Sequence, residues 1–146
     1  MKKMKIYMDA DGCPVISIAV NVAKEYSLEI IIVKNFAHEI YDSYASIVSV
    51  DISRDSADFY IVNKIEKDDI VVTQDYGLAA MCLSKGARPI NENGLIYTQD
   101  NIEGMLNRRH LHQQLRRENK YYSKAKKRSP EADKAFERNL RFLVEG

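Results

Sequence analysis

The sequence predicts an α/β fold, a three-layer sandwich with helices on both faces of a mostly parallel sheet of about five strands. Short apolar or β-branched runs, among them IYM at 6–8, EIIIVK at 29–34 and IVVT at 70–73, are typical of buried strands. Apolar residues at helical spacing fill the stretches between these runs, as they do after Pro14 and after Ser56. Strands that alternate with helices in this way indicate parallel βαβ units.

The predicted elements follow one another with short connections. In chain order they are a strand at 6–8, a helix at 14–26, strands at 29–34 and 47–51, a helix at 56–65, a strand at 70–73, a helix at 78–85, a strand at 88–90, and helices after Thr98 and Ser129. Pro14 suits the first turn of its helix, and Ser53 or Asp55 is expected to cap the helix at 56–65. The strand at 47–51 is expected at an edge of the sheet.

Length and composition indicate one globular domain covering residues 1–146. The chain is 45% hydrophobic and 29% charged, which is ordinary for a folded protein. Its apolar runs are too short to cross a bilayer, and the start of the chain lacks the apolar region of a signal peptide. Two cysteines provide neither a disulfide framework nor zinc-ligand spacing. We therefore expect a cytoplasmic protein without membrane contacts.

Charge is divided unevenly between the body of the protein and a basic helical C-terminal segment that starts at about residue 104. Residues 1–103 hold 10 Lys/Arg against 16 Asp/Glu, whereas residues 104–146 hold 12 against 5. A basic segment beside an acidic body favours nucleic acid as the partner, although a solvated helical face explains such a segment equally well. The candidate phosphate-binding side chains are Arg108, Arg109, Arg116, Arg117, Lys124, Lys126, Lys127 and Arg128.

Aspartates follow the predicted strands at the points where a crevice is expected. Asp9 and Asp11 follow the first strand, and Asp75 follows the strand at 70–73. Asp55 and Asp58 are three residues apart and lie at the start of a helix. Each of them can simply cap a helix or form a turn. If the strands at 6–8 and 70–73 are neighbours, the carboxylates converge, and their oxygen ligands suit Mg²⁺ or Mn²⁺.

Several segments together resemble the YaiI/YqxD family of uncharacterised bacterial proteins. They are DADGCPV, DSADFYIV, DDIVVTQDYGLAA, GARPINENGLIYTQDNI and, near the end, SPEADKAFERNLRFL. That family is similar in fold and acidic layout to PIN-domain nucleases. The resemblance implies a PIN-like sheet and a metal-dependent nuclease that hydrolyses phosphodiester bonds, with RNA favoured as its substrate.

The resemblance also assigns candidate roles to the aspartates. Asp9 matches the first-strand acid, Asp75 matches the acid after the VVT strand, and Asp55 and Asp58 compete for the helix acid. The predicted metal ligands are therefore Asp9, Asp55, Asp58 and Asp75. Asp11 is an added carboxylate and joins Asp9 and Asp75 as a candidate catalytic residue.

Two other functions fit parts of the sequence. A strand followed by Asp9-Ala10-Asp11-Gly12 also matches haloacid-dehalogenase-type phosphatases, in which Asp9 would be the covalent nucleophile and Asp11 the general acid. The strand at 29–34 lacks the Ser or Thr ending that this class needs. The other alternative is a non-catalytic nucleic-acid-binding protein that uses the basic segment alone.

Overall fold

The computed structural model describes residues 3–35, 39–51, 56–108 and 127–146. Strands and helices alternate along the chain in the predicted order. They are β1 (Ile6–Asp9), α1 (Ile16–Glu25), β2 (Ile30–Asn35), β3 (Ser46–Val50), α2 (Ala57–Lys64), β4 (Ile70–Val72), α3 (Tyr76–Ser84), β5 (Arg88–Ile90), the helical residues 99–108, which we call α4, and α5 (Pro130–Glu145).

The five strands form one parallel sheet in the order β3-β2-β1-β4-β5. β1 is central, and the chain moves outward from it first through β2 and β3 and then through β4 and β5. The order therefore reverses between β1 and β4, where Met8 pairs with Val72. In an open parallel sheet, the crevice beyond the strand ends at this reversal is where ligands bind.

Side chains of the central strands alternate between two apolar layers. Ile6 and Met8 face the layer that contains α1 and α5. Tyr7 and Val71 face the opposite layer, with Leu78 of α3. Burial on both faces explains why the strands are nearly continuous apolar runs. The predicted three-layer α/β sandwich is confirmed, and it is consistent with a PIN-like architecture. None of the helices in the described ranges has the length and apolar character that crossing a membrane requires.

Three helices begin differently from the predictions. α3 begins at Tyr76, directly after its cap Asp75, rather than at residue 78. α1 begins at Ile16 rather than at Pro14, because a turn closed by Cys13 N–H and the Ala10 carbonyl occupies the preceding residues. α2 is capped by Ser56, whose side chain accepts from Phe59 N–H. The predicted caps, Ser53 and Asp55, lie outside the described residues and precede the residue that caps the helix.

The last helix packs where the sequence predicted, and it also holds the turn after β5. Ser129 caps α5, and Phe136 and Leu140 are fully buried. Gly94, with φ +88°, lies against α5 so closely that a Cβ there would be 2.6 Å from the Ala135 carbonyl oxygen. This contact fixes the 91–94 turn at the carboxyl edge of the sheet.

Candidate active site

A buried threonine connects the ends of β1 and β4. Thr73 Oγ1 donates to Asp9 Oδ2 at 3.0 Å and accepts from the Asp75 backbone N–H at 3.0 Å. Thr73 is 1% exposed, so its hydroxyl makes these bonds away from bulk water. The arrangement follows from the parallel pairing of β1 with β4, which brings both strand ends to one edge. The two aspartates are thus positioned through one shared side chain.

Asp75 belongs both to the crevice and to a helix cap. Its Oδ1 accepts from Gly77 N–H at 2.9 Å and from Leu78 N–H at 3.3 Å at the start of α3. The cap interpretation of this aspartate is therefore confirmed. Capping fixes the carboxylate at the positive end of the helix, where negative charge is stabilised. Capping does not remove Asp75 from the crevice, because the same residue bonds to Thr73.

Asp11 occupies a tight turn directly after β1. Gly12 adopts φ +71°, a left-handed conformation that favours glycine. Asn35 Nδ2, at the end of β2, donates to Asp11 Oδ2 at 3.0 Å. Gln74 Nε2 donates to the Gly12 carbonyl at 3.0 Å and so ties this turn to the end of β4. Side chains from β2 and the β4 loop therefore hold the Asp11 turn from both sides.

The electrostatics of Asp9 show that the aspartates lie near one another. The pKa of the Asp9 carboxyl is raised to about 6, mainly by burial and to a smaller extent by the negative charges of Asp11, Asp75 and Asp58. The hydrogen bond from Thr73 opposes this rise. Four of the five predicted site aspartates are thus electrostatically coupled. The fifth, Asp55, lies outside the described residues.

The donor set fits a hard divalent cation, with a restriction on how the ion is held. Within the described ranges, no three His, Cys, Asp or Glu side chains approach closely enough to hold one metal ion. Mg²⁺ and Mn²⁺ accept carboxylate oxygens, and Mg²⁺ usually keeps several waters and takes only one or two protein carboxylates. Asp9 and its neighbours therefore suit an ion that also binds water and a substrate phosphate.

Sequence reasoning missed four polar residues at this edge of the sheet. Thr73 and Asn35 end apolar strands and resemble ordinary strand residues, and their partners become visible only through the strand register. Gln74 lies in a loop. Glu92 lies in the turn after β5, and its Oε2 is buried without a hydrogen-bond partner in the described structure. The sequence signal for Glu92 was its position two residues beyond the end of a strand.

The basic residues are only partly within the described structure. Arg108, at the end of α4, and Lys127 are exposed, and Arg128 is half-buried. Arg128 forms an ion pair with Asp133, in which Nε lies 2.7 Å from Oδ1. The other candidate phosphate-binding residues lie outside the described residues, and they are Arg109, Arg116, Arg117, Lys124 and Lys126.

Comparison with known proteins identifies relatives along almost the whole chain. Residues 7–146 match the profile described as "Uncharacterized BCR, YaiI/YqxD family". A "UPF0178 protein" of Alkaliphilus oremlandii is 51% identical over 137 residues, which are 94% of this chain and 88% of that protein. Proteins with the same description from Natranaerobius thermophilus and Exiguobacterium sibiricum are 45% and 39% identical, each covering 97% of this chain and 96% of the relative. No solved structure matches the chain.

Proposed function

The chain belongs to the YaiI/YqxD family, and we propose that its acidic crevice is the active site of a metal-dependent nuclease that hydrolyses phosphodiester bonds, preferentially in RNA. The family is uncharacterised, so the proposal depends on the site rather than on a relative's activity. The observation that carries it is the hydrogen-bonded connection from Asp9 through Thr73 to Asp75 at the reversal point of the sheet.

The electrostatics of the crevice support the same function. Burial raises the pKa of Asp9 most, and repulsion from the neighbouring carboxylates of Asp11, Asp75 and Asp58 adds to the rise. A site of this kind gains most from a ligand that carries positive charge. Bound Mg²⁺ or Mn²⁺ supplies an activated water and neutralises phosphate charge in such hydrolysis. The net positive charge of residues 104–146 complements a polyanionic substrate.

The residues of the chain have distinct tasks in this proposal. Asp9 and one neighbouring carboxylate, Asp75 or Asp58, would provide the protein oxygens for the cation, and waters and the substrate phosphate would complete its coordination. Thr73 fixes Asp9 and the backbone of Asp75 relative to each other. Asp11 is held in position beside Asp9 by the Asn35 amide, which donates to its carboxyl group.

A cleavage assay with matched variants tests the proposal. The wild-type protein should cleave single-stranded RNA in Mg²⁺ or Mn²⁺ and should lose that activity in EDTA. Asp9→Asn should be inactive while remaining folded, whereas Asp42→Asn should retain activity. Asp42 is a suitable control because its carboxylate accepts from the Tyr44 and Ala45 backbone N–H groups, and Tyr44 in turn bonds to Leu28 before β2. If the protein binds RNA but cleaves it with neither Mg²⁺ nor Mn²⁺, the proposed nuclease activity is wrong and a non-catalytic RNA-binding protein is favoured.

A further inference from the structure

We propose that Arg128 is a fixed substrate-binding residue, one that contacts a phosphate of the nucleic acid at the edge of the acidic crevice. The inference rests on the proposed function and assigns it a specific phosphate contact. It separates Arg128 from the remainder of the basic segment, which was identified from its composition alone. Arg128 is distinguished by the hydrogen bonds through which the protein holds its guanidinium group.

Three acceptors from two elements hold the Arg128 side chain. Its Nε donates to Asp133 Oδ1 at 2.7 Å, and one terminal nitrogen donates to Asn93 Oδ1 at 2.9 Å. The other terminal nitrogen donates to the Glu92 carbonyl oxygen. Asp133 belongs to α5, whereas Glu92 and Asn93 belong to the turn after β5. Since Gly94 packs against α5, both supports of the guanidinium are themselves fixed.

The anchored guanidinium retains donors for a ligand. An arginine side chain has five N–H groups, and the three bonds use three of them. No further partner of Arg128 occurs within the described residues, so two N–H groups on the terminal nitrogens remain. The side chain is 23% exposed and is therefore accessible from solvent. A planar guanidinium with two available donors is well suited to phosphate oxygens.

The sheet places this guanidinium beside the crevice. The Glu92 and Asn93 acceptors follow β5, and β5 is two strands from β1, about 10 Å at ordinary strand spacing. All strands are parallel, so these acceptors lie at the same edge as Asp9. The electrostatic influence of Arg128 and of Asp9 also reaches the same thiol, that of Cys13. A phosphodiester that spans this edge can contact both the guanidinium and the acidic site.

An arginine within α5, Arg141, offers a matched control. Arg141 also pairs with carboxylates, those of Glu25 and Glu137, and its side chain is 31% exposed. Its partners lie on α1 and α5 themselves, and Tyr26 packs beside it. Neither contact is at the carboxyl edge of the sheet. Arg128 and Arg141 therefore share charge and ion pairing and differ in their relation to the crevice.

The test measures binding and cleavage separately. Affinity for a short labelled single-stranded RNA is measured in EDTA over a range of salt for the wild type, Arg128→Gln, Arg128→Lys and Arg141→Gln. Arg128→Gln should bind roughly tenfold more weakly, as expected when a charged hydrogen bond is lost. Its salt slope should be smaller in magnitude by about 0.7, the value for one phosphate contact on a single strand. Arg128→Lys should keep the slope but cleave more slowly, because an ammonium group lacks the planar fork.

The outcomes distinguish this inference from the proposed function. Equal affinity and salt slope for Arg128→Gln and the wild type, or equal losses for Arg128→Gln and Arg141→Gln, would overturn the role of Arg128. Absence of RNA binding by the wild type would overturn it too. Loss of binding in Arg128→Gln alone, with no cleavage by any form in any metal, would support the phosphate contact and reject the nuclease. Melting temperatures of all four proteins show whether weaker binding merely follows unfolding.

Discussion

The Asp9 carboxylate and the Thr73 hydroxyl share a hydrogen bond of 3.0 Å across 64 residues of sequence. The bond joins the strands on either side of the point where the order of the sheet reverses. It also opposes the rise in the pKa of Asp9 that burial and three acidic neighbours produce. Thr73 therefore helps to position the carboxylate on which the proposed metal site depends, and it lowers the pKa of that carboxyl against the effect of burial.

Replacement of Thr73 by valine should disturb this site without changing its shape. Thr73→Val removes the donor to Asp9 and the acceptor of the Asp75 N–H. Leaving buried polar groups without partners costs about 1–3 kcal/mol, so the free energy of unfolding should fall by that amount. The pKa of Asp9 should rise above its present value of about 6. Urea denaturation and an NMR titration of the Asp9 carboxyl measure the two effects.

Thr98→Val is the control for that experiment. Thr98 Oγ1 accepts from Asn101 N–H at 3.2 Å near the start of α4. Loss of a helix cap costs about 0.5–2 kcal/mol, so this variant should also be less stable. The pKa of Asp9 should be unchanged in Thr98→Val. A pKa that also stays unchanged in Thr73→Val would show that the Thr73 bond has no influence on the carboxylate.

The raised pKa of Asp9 should make the metal-free protein less stable as pH increases from about 4 to about 6. The folded state holds the Asp9 proton up to about pH 6, whereas the unfolded chain releases it near the ordinary aspartate pKa of 3.8. Folded protein therefore binds more protons in this interval, and unfolding becomes easier as pH rises through it. Asp9→Asn should remove this contribution and should exceed the wild type in stability at pH 7 by about 1–3 kcal/mol.

Denaturation in EDTA at several pH values tests whether the free energy of unfolding falls as pH rises. An Asp9→Asn variant that is less stable than the wild type at pH 7 would show that the Asp9 carboxylate is stabilised by its surroundings. Asn still offers an oxygen to the Thr73 hydroxyl, so loss of that hydrogen bond would not explain such a result.

Asp11→Asn distinguishes the nuclease from a phosphatase. Loss of a general acid typically slows a reaction about 10²–10⁴-fold, with the largest effect on poor leaving groups. If Asp11 is instead a carboxylate beside the metal, held in place by Asn35, its replacement should change the metal concentration that is needed, with a smaller loss of maximal rate. Rates of cleavage of oligonucleotides and of aryl phosphates, measured over a range of Mg²⁺ concentrations, distinguish the nuclease from the phosphatase. A covalent phosphate or fluoroberyllate adduct on Asp9 would establish the phosphatase.

Two glycines with positive φ should differ in their tolerance of alanine. Gly12 has φ +71° and open space around it, so Gly12→Ala should cost only the left-handed backbone penalty of about 1–2 kcal/mol. Gly94 has φ +88°, and a Cβ there would also meet the backbone of α5 at 2.6 Å. Gly94→Ala should therefore destabilise the protein more. Equal unfolding free energies for the two variants would contradict the close packing of the 91–94 turn.

The sequence predicted the strands and their parallel arrangement well because burial on both faces leaves a simple signal. Runs such as the one at 29–34 are β-branched and continuous, and β2 occupies 30–35 in the structure. Helix starts were less predictable. The start of α1 depends on a turn closed by the Ala10 carbonyl, and no side chain caps that helix. Pro14 fits a turn before a helix as well as the first turn of the helix itself, so it did not show where α1 begins.

The aspartates of the site could be anticipated from their positions after strands, whereas their supports could not. The neighbours of Asp9 and Asp11 include Thr73 and Asn35, whose contacts require the order and register of the sheet. Asp75 showed the opposite difficulty. Both interpretations of it, helix cap and crevice residue, describe the same side chain, so the sequence offered no reason to choose between them.

The most direct test of the shared cation site is the effect of metal on thermal unfolding. Wild-type protein is melted with increasing Mn²⁺ beside Asp9→Asn/Asp75→Asn and Asp42→Asn. Asparagine caps helices as well as aspartate does, so the double variant retains the α3 cap. At about 100 times the dissociation constant, Mn²⁺ should raise the wild-type melting temperature by roughly 5–10 °C. Asp42→Asn should show the same rise and the double variant none, whereas an equal rise in the double variant would contradict the site.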